Sequence, residues 1–236
     1  MKGFSVKILF VMAAVMLFSS LDADAKKRVL KISVVPSDAQ ISVDGNYVGD
    51  GVVEVTLDKS DFIAIKLEKE GYLTQENKFY KSDKRNAISY TMRPDKFWEA
   101  SVPSGLVNKF FSVKVSPDFY KKDEKGKIDP DRAWKLIHQI LLNYFDEMQT
   151  TDLSSGFIQT PWEYERFSES KQAVRTRVTV KQSGISEDEL IFQIKISSEE
   201  APLVGMSNES SYREVVRILK KFEPLISEFQ SRLSKN

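Results

Sequence analysis

The sequence predicts an α+β protein: a small antiparallel β-sandwich at residues 29–93, then an α+β domain at 110–236 with two helices packed on an antiparallel sheet. Short apolar runs separated by turn residues fill the first part, which is the pattern of half-buried strands. Two stripes of apolar residues at helical spacing, around 131–149 and 211–233, predict amphipathic helices. Between them Val174, Thr176, Val178 and Val180 alternate with Arg175, Arg177, Thr179 and Lys181, the signature of a sheet with one apolar and one polar face.

The chain opens with Lys2 and Lys7, an apolar run from Ile8 to Phe18, and the small-residue sequence Ala23-Asp24-Ala25. That is the layout of a cleavable signal peptide, residues 1–25, with cleavage expected after Ala25. The apolar run covers 11 residues, against about 20 needed to cross a bilayer. A periplasmic or extracellular location is therefore the expectation. The chain contains no cysteine, so it is not lipid-anchored through a cysteine and has no disulfide, thiolate metal site or cysteine nucleophile.

Residues 26–236 are long enough for two small domains, and 41% apolar composition suits globular packing. The formal net charge is +1, and the excised segment would remove two lysines and two aspartates, leaving that balance unchanged. A near-neutral, interspersed charge provides no field for a polyanion, so no nucleic acid partner is expected. The Lys26-Lys27-Arg28 run reads as a solvated tail.

In the first domain, Val29, Leu30, Ile32, Val34 and Val35 form a strand ahead of Pro36. Ile41 and Val43 lead into Asp44-Gly45-Asn46, a hairpin signal because glycine accepts positive φ, and Tyr47 and Val48 resume the pattern. Val53, Val55 and Leu57 alternate with polar residues, as do Phe62, Ile63, Ile65 and Leu67; Ile88, Tyr90 and Met92 close the domain before Pro94. Such short strands suit a compact sandwich.

The order Val34-Val35-Pro36-Ser37-Asp38-Ala39, then Ile41-Ser42-Val43-Asp44-Gly45-Asn46-Tyr47-Val48-Gly49, then alternating strands and Lys69-Glu70-Gly71-Tyr72, resembles the PEGA domain. Ser37 and Asp38 stand where that family usually has Glu and Gly. The resemblance implies a small antiparallel β-module of bacterial surface and envelope proteins, a binding or spacer unit rather than an enzyme. It also implies that Gly45, Gly49 and Gly71 are turn residues and Tyr72 a packing residue.

Residues 94–109 read as a linker, with Phe97-Trp98 and the turn Pro103-Ser104-Gly105. Trp98 is either a sugar-stacking platform or the seal of a domain interface. Phe111, Val113 and Val115 open the second domain as a strand ending at Pro117, and the lysine-rich stretch 121–127 is a solvated loop. Asp129-Pro130 reads as a helix start, and Trp134, Ile137, Leu141, Tyr144, Phe145 and Met148 extend the helix to about Gln149. Phe157–Thr160 and Trp162–Phe167 form a strand interrupted by Pro161. Leu190, Phe192, Ile194 and Ile196 pair with the 174–180 strand through a hairpin at 182–188. Ser211-Tyr212-Arg213-Glu214 reads as a capping box opening a last helix that Pro224 kinks. The resulting order, β-α-β-β-β-α, is similar in architecture alone to helix-grip domains of envelope lipoproteins that assist outer-membrane assembly.

Chemistry is sparse. His138 is the only histidine and sits on a helix flank; without a second histidine or a cysteine it makes a poor metal site. Neighbouring acids such as Asp146-Glu147 do not converge on one helix face. The chain is therefore expected to be no enzyme, with no catalytic, cofactor-binding or metal residues. Trp98, Trp162, Arg175, Arg177 and Lys181 form the candidate binding surface, for an anionic or sugar ligand. The expected function is that of a non-enzymatic exported envelope protein binding a protein partner or cell-wall glycan. The alternatives are a structural subunit of an envelope complex and a hydrolase whose carboxylates the sequence does not reveal.

Overall fold

The computed structural model describes residues 28–57, 60–185 and 189–234. The expected signal peptide, 1–25, lies outside them. The chain divides into two compact units. Of the described residues, the first comprises those up to Lys69 together with Thr74–Met92; the second comprises Glu70–Leu73 and those from Arg93 onward.

The first unit is built from β1 (Val29–Val35), β2 (Gln40–Val43), β3 (Asn46–Asp50), β4 (Val52–Thr56), β5 (Phe62–Glu68), β6 (Gln75–Tyr80) and β7 (Ala87–Thr91). They form a sheet ordered β4-β1-β7 and a second ordered β3-β2-β5-β6. Every pairing is antiparallel except β1 with β7, which run parallel. Alternate residues of each sheet are buried: Leu30, Ile32 and Val34 on β1, Ile41 and Val43 on β2, Ile63, Ile65 and Leu67 on β5. Strand β6 escaped the sequence reading because its polar run Gln75-Glu76-Asn77-Lys78 gives the core only Phe79 in full.

The Pro36–Ala39 turn needs no left-handed angle at Asp38, whose carboxylate accepts from Lys69 Nζ instead. The constraint falls on Gly51. Its φ is +65°, it donates to the Ala39 carbonyl, and a Cβ there would lie 2.1 Å from the Ser37 carbonyl oxygen.

The second unit holds α1 (Lys96–Ala100), β8 (Ser101–Pro103), β9 (Phe110–Lys114), β10 (Lys121–Lys122), β11 (Ile128–Asp129), α2 (Asp131–Leu142), β12 (Thr150–Asp152), β13 (Phe157–Gln159), β14 (Glu163–Phe167), β15 (Gln172–Ile185), β16 (Leu190–Pro202), β17 (Arg213–Glu214), β18 (Arg217–Leu219) and α3 (Pro224–Ser234). The path β12-β13-β15-β16-β17, with β14 also on β15 and β9 also on β16, makes a seven-stranded antiparallel sheet. The expected hairpin joins β15 to β16, and its turn, 186–188, lies outside the described residues. Val174, Val178 and Val180 share a core with Phe192, Ile194 and Ile196, and both long helices contribute: Trp134, Ile137 and Leu141 from α2, Leu225, Phe229 and Leu233 from α3. The Trp134 and Phe192 rings meet edge to face at 4.6 Å.

Three further segments depart from the sequence reading. Residues 94–109 are no linker: Phe97 and Val107 are buried in the second core, and β8 pairs with β18. Asn108, held at φ +62°, donates to the Ser198 and Val215 carbonyls and accepts from the Ser198 amide, pinning this segment to β16. Helix α2 ends at Leu142 rather than near Gln149, although Phe145 stays buried and stacks on Phe222 at 5.2 Å. The last helix begins at Pro224, not at Ser211. Proline lacks the N–H that a first helical turn leaves unused, so it starts this helix instead of kinking it, and Arg213–Glu214 and Arg217–Leu219 are strands.

Gly51→Ala is expected to cost the first unit about 3 kcal/mol, joining left-handed strain to a backbone clash. Gly45→Ala, at φ +83° with open space around it, should cost about 1 kcal/mol. Denaturant unfolding of the two variants checks this ordering, and equal losses would contradict the close approach at Gly51.

Candidate functional site

Period-two alternation fixes what the second face of the seven-stranded sheet can carry. With Val174, Val178 and Val180 committed to the core, Arg175, Arg177, Thr179 and Lys181 must point the other way, opposite Glu199, Ser197, Lys195 and Gln193 of β16. Tyr164 of β14 lies beside Arg175, Gln159 of β13 beside Thr179, and Phe157 beside Lys181.

The face is closed at one end and open at the other. At the closed end Arg175, only 4% exposed, lies between two rings, 3.7 Å from the Tyr212 centroid and 4.1 Å from that of Trp162. Its Nε donates to Glu199 at 2.9 Å, Nη1 donates to Glu209 at 2.8 Å, and Nη2 lies 2.7 Å from Glu199 and 2.8 Å from Glu209. Burial would lower this guanidinium's pKa, but hydrogen bonds to Glu209, Glu199 and Tyr164 outweigh it and raise the pKa above its ordinary value. Arg175 therefore holds the face together and is not free for a ligand. Glu209 is pulled below the usual carboxylate range by its hydrogen bond to Arg175.

Arg177 comes next on the same face, 4.2 Å from the Trp162 centroid. Two guanidinium groups thus lie against the Trp162 ring, so its π-surface is engaged from within and it is no bare sugar platform. Unlike Arg175, the Arg177 side chain makes no hydrogen bond or ion pair with any described residue, and its Nε is buried without a partner. At the open end exposed Lys181 lies 4.0 Å over the Phe110 ring, again with no acid partner among the described residues. The other cations of β9 and β16 on this face are matched, Lys195 by Glu214 and Lys114 by Glu189.

The structure gathers Trp162, Arg175 and Arg177, places Lys181 further along the same strand, and sets Trp98 elsewhere. Trp98 is half-buried in α1, where the Arg217 guanidinium stacks 3.5 Å from its ring centroid and donates to its carbonyl, to Ser101 Oγ and to the Ser101 carbonyl. A Cβ on Gly71 would lie 3.1 Å from the Trp98 ring. Burial lowers the Arg217 pKa below its usual value. Trp98 is a packing residue of the second unit. His138 is half-buried on α2 and lines a groove of about 330 Å³ with Trp134, Lys135 and Leu142. Among the described residues no group of three or more His, Asp or Glu is placed to hold a metal.

The sequence reading missed Glu199, Glu209, Tyr164, Tyr212 and Phe110. Glu199 had a signal: a hairpin turning near 187 puts it opposite Arg175. Tyr212 and Glu209 had none: Tyr212 fell in the first turn of the expected α-helix, and Glu209 just before it, in what the structure forms as a short 3-10 turn.

Arg175→Ala, which leaves Glu199 without its cation, is expected to cost about 3 kcal/mol of stability. The same substitution should return the Glu209 pKa toward 4.5 in a carboxyl NMR titration. Because the folded value is depressed, the Glu209 contribution is complete above its unfolded pKa and is lost as pH falls through the lowered one. A Glu209 titration unmoved by the substitution would contradict the clamp.

Comparison with known proteins adds one match. No curated protein and no solved structure matches the chain. Residues 28–95 match the family model of the PEGA domain, under a third of the chain. The matched stretch takes in the first unit, the Glu70–Leu73 loop and Arg93–Asp95 of the second, so the chain carries a PEGA-type β-module ahead of its larger sheet.

Proposed function

We propose that this is a non-enzymatic, exported protein of the bacterial envelope. In this reading the PEGA-type module is a binding or spacer unit, and the polar face of the seven-stranded sheet binds another envelope macromolecule, a protein partner or cell-wall glycan. The observation that carries it is the pair of unmatched cations, Arg177 and Lys181, on a face where Arg175, Lys114 and Lys195 have acids. With no acid partner, the Arg177 guanidinium keeps its terminal nitrogens open to an incoming acceptor. The non-enzymatic part is supported by the acids themselves. The lowered pKa values of Asp83, Asp152 and Glu209 come from hydrogen bonds to Arg85, to Ser154 and Ser155, and to Arg175, and Glu200, its pKa raised by burial, accepts from Gln172.

Crosslinking in the native envelope tests the reading. A crosslinker placed at exposed Ser112, beside Gln193 on the polar face, is expected to capture an envelope protein or glycan. One placed at Ser227 on α3 should capture it far less. Equal capture from both positions, or hydrolysis of glycan or peptide by the purified chain, would contradict the proposal.

A further inference from the structure

Arg177 and Lys181 lie four positions apart on one face of one strand, which at about 3.3 Å per residue is roughly 13 Å. An extended polypeptide has the same repeat, so its side chains at i and i+4 lie on one face at that separation. We infer that the polar face of β15 docks an extended acidic peptide segment of a partner, one carboxylate meeting Arg177 and a second, four residues along, meeting Lys181. The inference rests on the reading of this face as a binding surface and names its ligand.

Charge and shape both favour such an occupant. At the closed end Arg175 already has two carboxylates, so nothing there calls for a third. The Glu209 side chain is near enough for the Arg177 charge to act on it, yet its oxygens are bonded to Arg175. Of the Arg177 nitrogens only Nε is sealed from solvent without a partner, which leaves the terminal nitrogens for the two-pronged contact a carboxylate makes with guanidinium. The Trp162 ring holds that guanidinium in place, so less side-chain freedom is lost on binding. Between the two cations the floor is Thr179, 8% exposed, with its hydroxyl accepting from Gln159 Nε2. No acid interrupts β15 between Arg177 and Lys181. Exposed Phe110 beside Lys181 adds an apolar contact for the residues between the carboxylates.

The test uses the full mature chain and labelled peptides of about nine residues carrying two glutamates on an otherwise neutral background, at i and i+4 or at i and i+3. In an extended peptide the second spacing sends the two carboxylates to opposite sides. Fluorescence anisotropy at low salt is expected to give roughly fivefold tighter binding for the i and i+4 peptide, with the preference fading as salt rises. Arg177→Gln and Lys181→Gln should each remove the preference; Lys181 is exposed, so its variant keeps the unfolding midpoint of the parent and separates lost binding from lost folding. Equal affinity for the two peptides, or binding unchanged in Lys181→Gln, would overturn the inference. So would capture of purified cell-wall glycan in place of either peptide, an outcome that leaves the broader reading of the face standing.

Discussion

The second unit is organised by a single long antiparallel ladder, Gln172–Ile185 against Leu190–Pro202. Side chains alternate along it, so the choice of which residues enter the core dictates the opposite face without further freedom. Val178 meets Ile196 and Val180 meets Ile194 on the inner side; Arg175 meets Glu199 and Arg177 meets Ser197 on the outer. A slip of one residue would drive Arg177 and Lys181 into the apolar core beside Phe192, at the cost of burying unpaired charge. The hydrophobic pattern thus acts at a distance from any ligand, as the constraint that aims the cations.

The outer face carries a graded charge arrangement. Arg175 is buried and can remain so because two carboxylates and two aromatic rings surround it; a buried guanidinium lacking such partners would be strongly destabilising. Arg177, one step along the same face, shares the Trp162 ring but no acid, and Lys181 has a ring and open solvent. The order along the strand is therefore structural, then intermediate, then exposed. A similar division separates the tryptophans. Trp134 is a core residue, Trp98 seats Arg217 and covers Gly71, and Trp162 alone borders the unmatched cation.

Strands whose burial alternates locally were legible: β1, β2, β5, β15 and β16 all keep the period of their valines and isoleucines. Strand β6 was not, because one fully buried residue in a polar run carries no periodic signal. The capping-box pattern at Ser211-Tyr212-Arg213-Glu214 misled, since Val215, Leu219 and Phe222 fit helical spacing equally well. Tertiary pairing decided otherwise: Arg217–Leu219 adds to β8, and Arg217 reaches Trp98. That error hid part of the candidate site, because Glu209, in a short 3-10 turn, and Tyr212, just after it, meet Arg175 where the sequence reading placed the start of a long α-helix. The β15 cations were legible as a row, but whether each had an acid partner depended on register and on a loop remote in sequence.

The most direct measurement exploits the absence of native cysteine. Paired cysteines at Thr179 and Lys195, directly opposite on the outer face, should oxidise to a disulfide in the folded chain without loss of its unfolding cooperativity. Paired cysteines at Thr179 and Ile194 should not, because Ile194 points to the core. Ready crosslinking of the second pair in place of the first would show the ladder shifted by one residue, with the cations turned inward and the account of the polar face withdrawn.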